Sequence, residues 1–140
     1  IKDFRKDISL SIVGMEKNIN KTIKQENVNI LEIETSEDKL IELYDNHDIF
    51  ILPSFTEGHP QVLLESLARS RPVIIFEEIS HVVGSRKGIF IAKRNSESLL
   101  EKIKYIGSNY GKIQEDMKNN NLPLKKEFLK DLENLIVKIN

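Results

Sequence analysis

The sequence predicts an α/β fold, a doubly wound parallel sheet flanked by helices, and three observations carry that prediction. Short apolar runs recur along the chain, each followed by a stretch with helical spacing. The links between them are short. One run, PVIIF at residues 72–76, is apolar throughout, the pattern of a strand covered on both faces.

The elements follow in order. Ile8, Leu10, Ile12 and Val13 form an apolar run that stops at Gly14, a strand and its turn. Residues 15–26 are polar with Ile19 and Ile23 four apart, a modest helical signal. Val28, Ile30, Leu31 and Ile33 give a second strand. Thr35 with Asp38 three residues later has the pattern of a capping box, and Leu40, Ile41, Leu43 and Tyr44 follow as a helical stripe. Residues 48–52 make the third strand, 61–70 a helix, 72–76 the fourth strand and 88–92 a shorter fifth. Asn95 or Ser96 caps a helix carrying Leu99, Leu100, Ile103 and Ile106. From about Tyr110 the tail is helical, with a break at residues 119–123 (NNNLP). The last helix, within residues 124–140, sets Leu124, Phe128, Leu129, Leu132, Leu135, Ile136 and Ile139 on one side. Glu127, Asp131 and Glu133 dilute its lysines, so this stripe suits packing on protein better than lying on a membrane.

Bulk composition narrows the function classes. At 140 residues the chain is read as a single domain, large enough to close a core without disulfides or metals. Apolar residues are 39% and charged residues 31%, with a net charge of −1, which offers no field to attract nucleic acid or an anionic membrane. The absence of cysteine excludes disulfides, thiolate zinc sites and a cysteine nucleophile, and fits a reducing cytoplasm. No apolar run approaches the ~20 residues of a membrane helix. His47, His59 and His81 have no metal-ligand spacing, and Asp45 and Asp48 do not form a D-x-D, so no metal site is expected. No P-loop or G-x-G-x-x-G is present.

The chemistry concentrates in LPSFTEGHPQVLLESLA, residues 52–68. A strand, a bend and a helix in that order put the helix start at the carboxyl edge of the sheet, where α/β proteins bind ligands. A helix beginning near Pro60 offers the backbone N–H groups of Gln61, Val62 and Leu63 to an anion such as a phosphate. Pro60 suits the first turn because its missing N–H would have no intrahelical partner there. Gly58 lets the chain bend and a ligand approach the backbone. Glu65 would repel a phosphate at close range but can accept two hydrogen bonds from a ribose diol beyond a diphosphate. Glu57, on the loop, can reach a sugar on the opposite side. The plainer alternative is that both glutamates are solvated residues near a helix start. His59 reads either as a sugar contact or as a polar loop residue. Arg86, Lys87, Lys93 and Arg94 form a basic cluster whose simplest reading is a solvated face, with a phosphate contact as the alternative.

This setting resembles the C-terminal domain of retaining GT-B glycosyltransferases of the family-4 kind, which transfer sugars from nucleotide sugars. PSFTEGHPQVLLESLARSRPVII, residues 53–75, is similar to that family's strand ending PS, EG loop, helix ending LLEAMA, G-x-P turn and PVI strand. ISLSIVG (8–14), VNILEI (28–33), SEDKLIELYDNHDIFILPS (36–54) and GIFIAKRNSESLLEKI (88–103) resemble the surrounding strands and helices, so the likeness covers most of the chain. It implies a Rossmann-like domain. It also implies that Glu57, with Gly58 and His59, contacts the donor sugar. The backbone at Pro60, Gln61 and Val62 would hold the diphosphate, and Glu65 the ribose. The donor would be a nucleotide diphosphate sugar, with no further cofactor. No residue reads as a nucleophile, and the catalytic residues are left open.

Some positions depart from the pattern. Ser70-Arg71-Pro72 replaces the G-x-P turn, Glu16 stands for the second glycine of IVG-x-G, and Glu32 for a glycine near the nucleobase. The family's first strand, with the Arg and Lys that neutralise the diphosphate, would precede Ile1, as would the acceptor-binding N-terminal domain. The expectation is therefore a piece of a longer cytoplasmic enzyme, peripheral at the inner membrane face, acting on a glycan or lipid acceptor. The piece alone is expected to transfer no sugar, and to self-associate through its last helix. The rival readings are a non-catalytic module that binds a nucleotide sugar or a protein, and a GT-B epimerase or phosphorylase.

Overall fold

The computed structural model describes residues 8–14, 27–124 and Lys130. The fold is α/β and Rossmann-like, with every strand pair parallel. Two compact units are distinguished, Ile1–Leu43 and Tyr44–Asn140.

In the first unit β1 (Leu10–Val13) pairs with β2 (Val28–Leu31) in the register Leu10↔Val28 to Val13↔Leu31. Gly14 takes φ 90° and its N–H bonds the Leu31 carbonyl at 3.2 Å, the turn expected at that glycine. α1 (Glu37–Asp45) follows. Its start differs from the capping box expected at Thr35. The Glu34 carboxylate instead accepts from the Thr35 and Ser36 N–H groups at 2.9 and 2.8 Å, and Ser36 gives its carbonyl to Leu40. A carboxylate reaches these orphan donors from outside the helix and complements its dipole.

The second unit holds Tyr44 and Asp45 and a sheet of order β3 (Phe50–Leu52), β4 (Val73–Phe76), β5 (Ile89–Ala92). β4 is the centre. Val73, Ile74 and Ile75 are fully buried, and since successive strand side chains alternate faces, both faces of β4 are covered. Leu63 and Leu67 of α2 (Gln61–Ala68), Ile79 of a 3-10 segment (Glu77–Val82), and Ile106 of α3 (Ser96–Met117) join them in one core. Each such side chain contributes roughly 1.5–3 kcal/mol by leaving water.

Asn95 caps α3, its side chain accepting from the Ser98 N–H at 2.8 Å. The two helical stretches read on either side of Tyr110 are one helix, kinked at Asn109 (φ −123°), whose side-chain amide donates to the Tyr105 carbonyl at 2.8 Å. The helix ends at Met117, ahead of the expected break. The expected helices at residues 15–26 and 124–140, with the stripe from Leu124 to Ile139, lie outside the described residues apart from Leu124 and Lys130.

The end of α2 explains how the chain manages without the expected glycine. Ser70 itself takes the left-handed conformation, φ 53°. Its N–H bonds the Leu67 carbonyl at 2.9 Å and the Arg71 N–H bonds the Ser66 carbonyl at 2.9 Å, the paired bonds of a Schellman end. Ser66 Oγ donates to the Arg71 carbonyl, and Gln114 donates to the Ser70 carbonyl, both at 3.1 Å. These bonds hold a serine where glycine is cheaper.

Candidate functional site

β3 delivers the chain into the loop at residues 53–60, and α2 leaves from it. Several side chains tie this loop. Ser54 Oγ donates to Glu57 Oε1 at 2.6 Å. His81 Nε2 lies 2.8 Å from the Glu57 carbonyl oxygen, which can only accept, so Nε2 carries the proton in this contact. Arg94 Nη1 and Nη2 donate to the carbonyls of Pro53 and Ser54, each at 3.0 Å. The same guanidinium donates from Nε to Glu78 Oε1 at 3.0 Å, and this bond holds the Glu78 carboxyl below the usual carboxylate range.

Glu65 is held differently. Tyr44 OH lies 3.1 Å from Glu65 Oε2 and 3.3 Å from the Val62 carbonyl oxygen, both acceptors for its one proton. Burial of the Tyr44 phenol, and then the neighbouring Glu65 carboxylate, push its pKa above the ordinary value. Each glutamate therefore has one oxygen fixed and, among the described residues, one with no protein donor. That is the state of a carboxylate able to accept from a ligand hydroxyl.

At the start of α2, Pro60 is the N-cap residue with φ −70° and ψ 110°, and no side chain caps the helix. Pro60 has no N–H, so it supplies the geometry of the expected diphosphate-binding backbone and no donor. Its carbonyl accepts from the Leu63 N–H at 3.3 Å, which removes that group from the three donors offered by the sequence. The N–H groups of Gln61 and Val62 are left uncapped.

Beside this helix start is a cavity of about 160 Å³. Gly58, His59 and Pro60 line it from the loop, and His81, Gly84 and Arg86 from the segment before β5. It is smaller than the roughly 300–1,000 Å³ pockets that enclose a whole small-molecule ligand, so it has room for only part of one. Glu57, Gln61, Val62 and Glu65 do not line it. Arg86 Nη1 donates to the Val82 carbonyl at 2.9 Å, and among the described residues the guanidinium meets no carboxylate. The basic cluster thus divides. Arg86 faces the cavity, Arg94 is spent on the loop, and the Lys87 backbone is clasped by the Asn120 side-chain amide at 2.7 and 2.9 Å. Among the described residues no three His, Asp or Glu converge as a metal site would require, and no helix is long and apolar enough to cross a membrane.

This strand–loop–helix unit sits inside a recognisable sequence. The profile of the family described as "Glycosyl transferases group 1" matches residues 1–122. The chain belongs to that family. Membership bears out the glycosyltransferase part of the resemblance. Among curated proteins, an N,N'-diacetylbacillosaminyl-diphospho-undecaprenol alpha-1,3-N-acetylgalactosaminyltransferase of Campylobacter jejuni is 31% identical over 67 residues, 46% of this chain and 18% of that protein. A putative teichuronic acid biosynthesis glycosyltransferase, TuaC, of Bacillus subtilis is 36% identical over 58 residues, 40% of this chain and 15% of that protein. The chain spans less than a fifth of the length of these relatives.

All seven residues singled out in the sequence stand on one loop and the start of one helix, with Gly58, His59 and Pro60 at the cavity. Three partners escaped sequence reading: Tyr44, which reads as a helical-stripe residue, and Ser54 and His81, which reach the loop or cavity by tertiary contact; Arg86 reads only as part of a basic cluster, a solvated face or a phosphate contact. Only the serine of the PS pair carries a local signal.

Proposed function

We propose that this chain is the C-terminal, donor-binding domain of a retaining GT-B glycosyltransferase of the family-4 kind. A nucleotide diphosphate sugar is the donor. Glu57, Gly58 and His59 meet the transferred sugar, the Gln61 and Val62 amides meet the diphosphate, and Glu65 accepts from the ribose diol. The observation that carries this reading is the shared state of the two glutamates, each with one oxygen bonded by a neighbour and, among the described residues, one with no protein donor. Between them lies an uncapped helix start with Arg86 nearby, the charge arrangement that suits a diphosphate.

The domain's part in the reaction is positioning and stabilisation of the leaving group. As the bond from the sugar to the diphosphate breaks, negative charge grows on the diphosphate oxygens, and helix-start amides and cations offset it. The acceptor, a glycan or a lipid-linked sugar held by another domain, takes the sugar. The printed names of the two relatives, one acting on a diphospho-undecaprenol substrate and one assigned to teichuronic acid biosynthesis, favour an envelope polymer or lipid acceptor. A cytoplasmic enzyme working at the inner membrane face follows from such an acceptor.

The test is titration of labelled protein with UDP-glucose, UDP-N-acetylglucosamine and GDP-mannose. Amide shifts centred on residues 58–64 are expected, together with transfer activity in the intact protein. Shifts that map elsewhere, or no preference for an intact ribose diol, would overturn the assignment. A binding module without catalysis would bind donors and transfer nothing.

A further inference from the structure

We propose that Arg94 is a positioning residue for Glu57, acting through the loop between β3 and α2; its ligand-binding consequence rests on the donor-binding reading above. Arg94 lies just past β5, far from Glu57 in sequence, yet its guanidinium reaches the loop's first two residues. Nη1 donates to the Pro53 carbonyl and Nη2 to the Ser54 carbonyl, both at 3.0 Å. On its other edge Nε and Nη2 reach the two oxygens of Glu78, at 3.0 and 3.3 Å. Its carbon centre lies 3.8 Å from the Phe55 ring centroid and 4.3 Å from that of Phe76.

Each contact has a consequence for the loop. Phe55 is 69% exposed, so burial alone does not hold it, and the cation at its ring does. Phe76 ends the buried strand β4, so the stack ties an exposed loop residue to the core through the arginine. The two carbonyl bonds fix the backbone of Pro53 and Ser54. Ser54 then fixes Glu57, its hydroxyl 2.6 Å from Oε1. The Glu57 carbonyl is held separately by His81 at 2.8 Å, so the side chain depends on Ser54 while the backbone has a second anchor. The chain of action is Arg94 to Ser54 to the Glu57 carboxylate. Lysine cannot do this work. Its ammonium is a point charge that cannot donate in a plane to two carbonyls and a carboxylate while stacking on a ring.

The experiment compares the native protein with Arg94→Lys, Glu57→Gln and the double variant. Without ligand, amide relaxation and hydrogen exchange at residues 54–58 report loop order. Arg94→Lys is expected to raise mobility there while β4 and α3 keep their protection. Unchanged order at those residues overturns the proposal. With UDP-glucose, UDP-N-acetylglucosamine and GDP-mannose, each against its parent nucleoside diphosphate, Arg94→Lys is expected to weaken the nucleotide sugar about fivefold more than the diphosphate. That selective loss should vanish in the Glu57→Gln background, because Arg94 then has no carboxylate to place. Equal losses for sugar and diphosphate, or a full loss that persists without Glu57, mark a merely structural arginine and overturn the proposal. If the native protein binds none of the donors, the donor-binding reading fails, and loop order alone decides whether Arg94 holds Glu57.

Discussion

The Tyr44 hydroxyl lies 3.1 Å from Oε2 of Glu65, a contact between the end of α1 and the second turn of α2. Among the described residues the other carboxylate oxygen has no protein donor. Tyr44→Phe keeps the ring, which meets Phe50 edge-on at 5.8 Å, and removes only the hydroxyl. It should therefore leave the fold nearly as stable while weakening nucleotide binding about threefold. Glu65→Gln should cost about tenfold, since hydrogen bonds to a charged group contribute roughly 1.5–3 kcal/mol. Titration calorimetry checks both.

The same contact has an alkaline signature. The folded pKa of Tyr44 is raised, by burial first and Glu65 second. For an acid whose folded pKa is raised, the stabilising contribution is complete below the ordinary value near 10 and is lost as pH rises through the folded one. Tyr44 should thus ionise above the ordinary phenol value near 10, seen in its phenol carbon shift. In Glu65→Gln its titration should move down.

Glu78 carries the opposite sign. Its carboxyl is held below the usual range, chiefly by the Arg94 hydrogen bond. A depressed folded pKa contributes stability that is present above the ordinary value near 4.3 and is lost as pH falls through the folded one. The loop at residues 53–58 should loosen on acidification below about pH 4. Glu78→Gln should show that looser loop already at neutral pH, by amide exchange.

Fold legibility followed from periodicity. The apolar run at Val73 to Phe76 named a strand buried on both faces because only such a strand tolerates no polar residue. Asn95 or Ser96 marked a helix start, and Asn95 is the cap, its amide oxygen accepting from the N–H three residues on. The site was legible where it is local, in the order strand, Glu57, Pro60, Glu65. Tyr44 and His81 were not, because each reaches the site across many residues of chain and carries no periodic mark, and Arg86 and Arg94 were legible only as a basic cluster that could be a solvated face or a phosphate contact. The G-x-P departure was legible as a problem, and its solution needed the φ of Ser70.

That solution is testable. A left-handed conformation costs an L residue roughly 1–2 kcal/mol, against about 0.5–1 kcal/mol of extra chain entropy for glycine. Ser70→Gly should therefore stabilise the protein by about 0.5–1 kcal/mol, read as a higher denaturant midpoint with unchanged slope. Destabilisation would show that the serine side chain contributes a contact of its own.

Two glycines separate fold from ligand. An added Cβ at Gly88, at φ 86°, would overlap the Met117 side chain, so Gly88→Ala should destabilise by about 2–4 kcal/mol through strain and overpacking. At Gly58 an added Cβ would meet nothing within 4 Å, and no left-handed φ demands glycine. Gly58→Ala should keep native stability yet bind the nucleotide sugar more weakly, as expected where a ligand comes close to the backbone. Full affinity in Gly58→Ala would place the donor away from that loop.

Arg86 supplies the sharpest test of where the diphosphate sits. It lines the cavity beside the start of α2, half-buried, anchored by one bond to the Val82 carbonyl and facing no carboxylate among the described residues. A cation so placed is available to an anion, and the Gln61 and Val62 amides at the start of α2 are uncapped. Arg86→Gln keeps a donor for Val82 and removes the charge. It should weaken UDP and UDP-glucose by the same factor, about tenfold, because the diphosphate is common to both. Uridine, which has no phosphate, should bind both proteins alike. Added salt should weaken the native protein's binding more steeply than the variant's, since one ion pair fewer is left to screen. Equal salt dependence in the two proteins, or a loss confined to the nucleotide sugar, would move the diphosphate off this cavity.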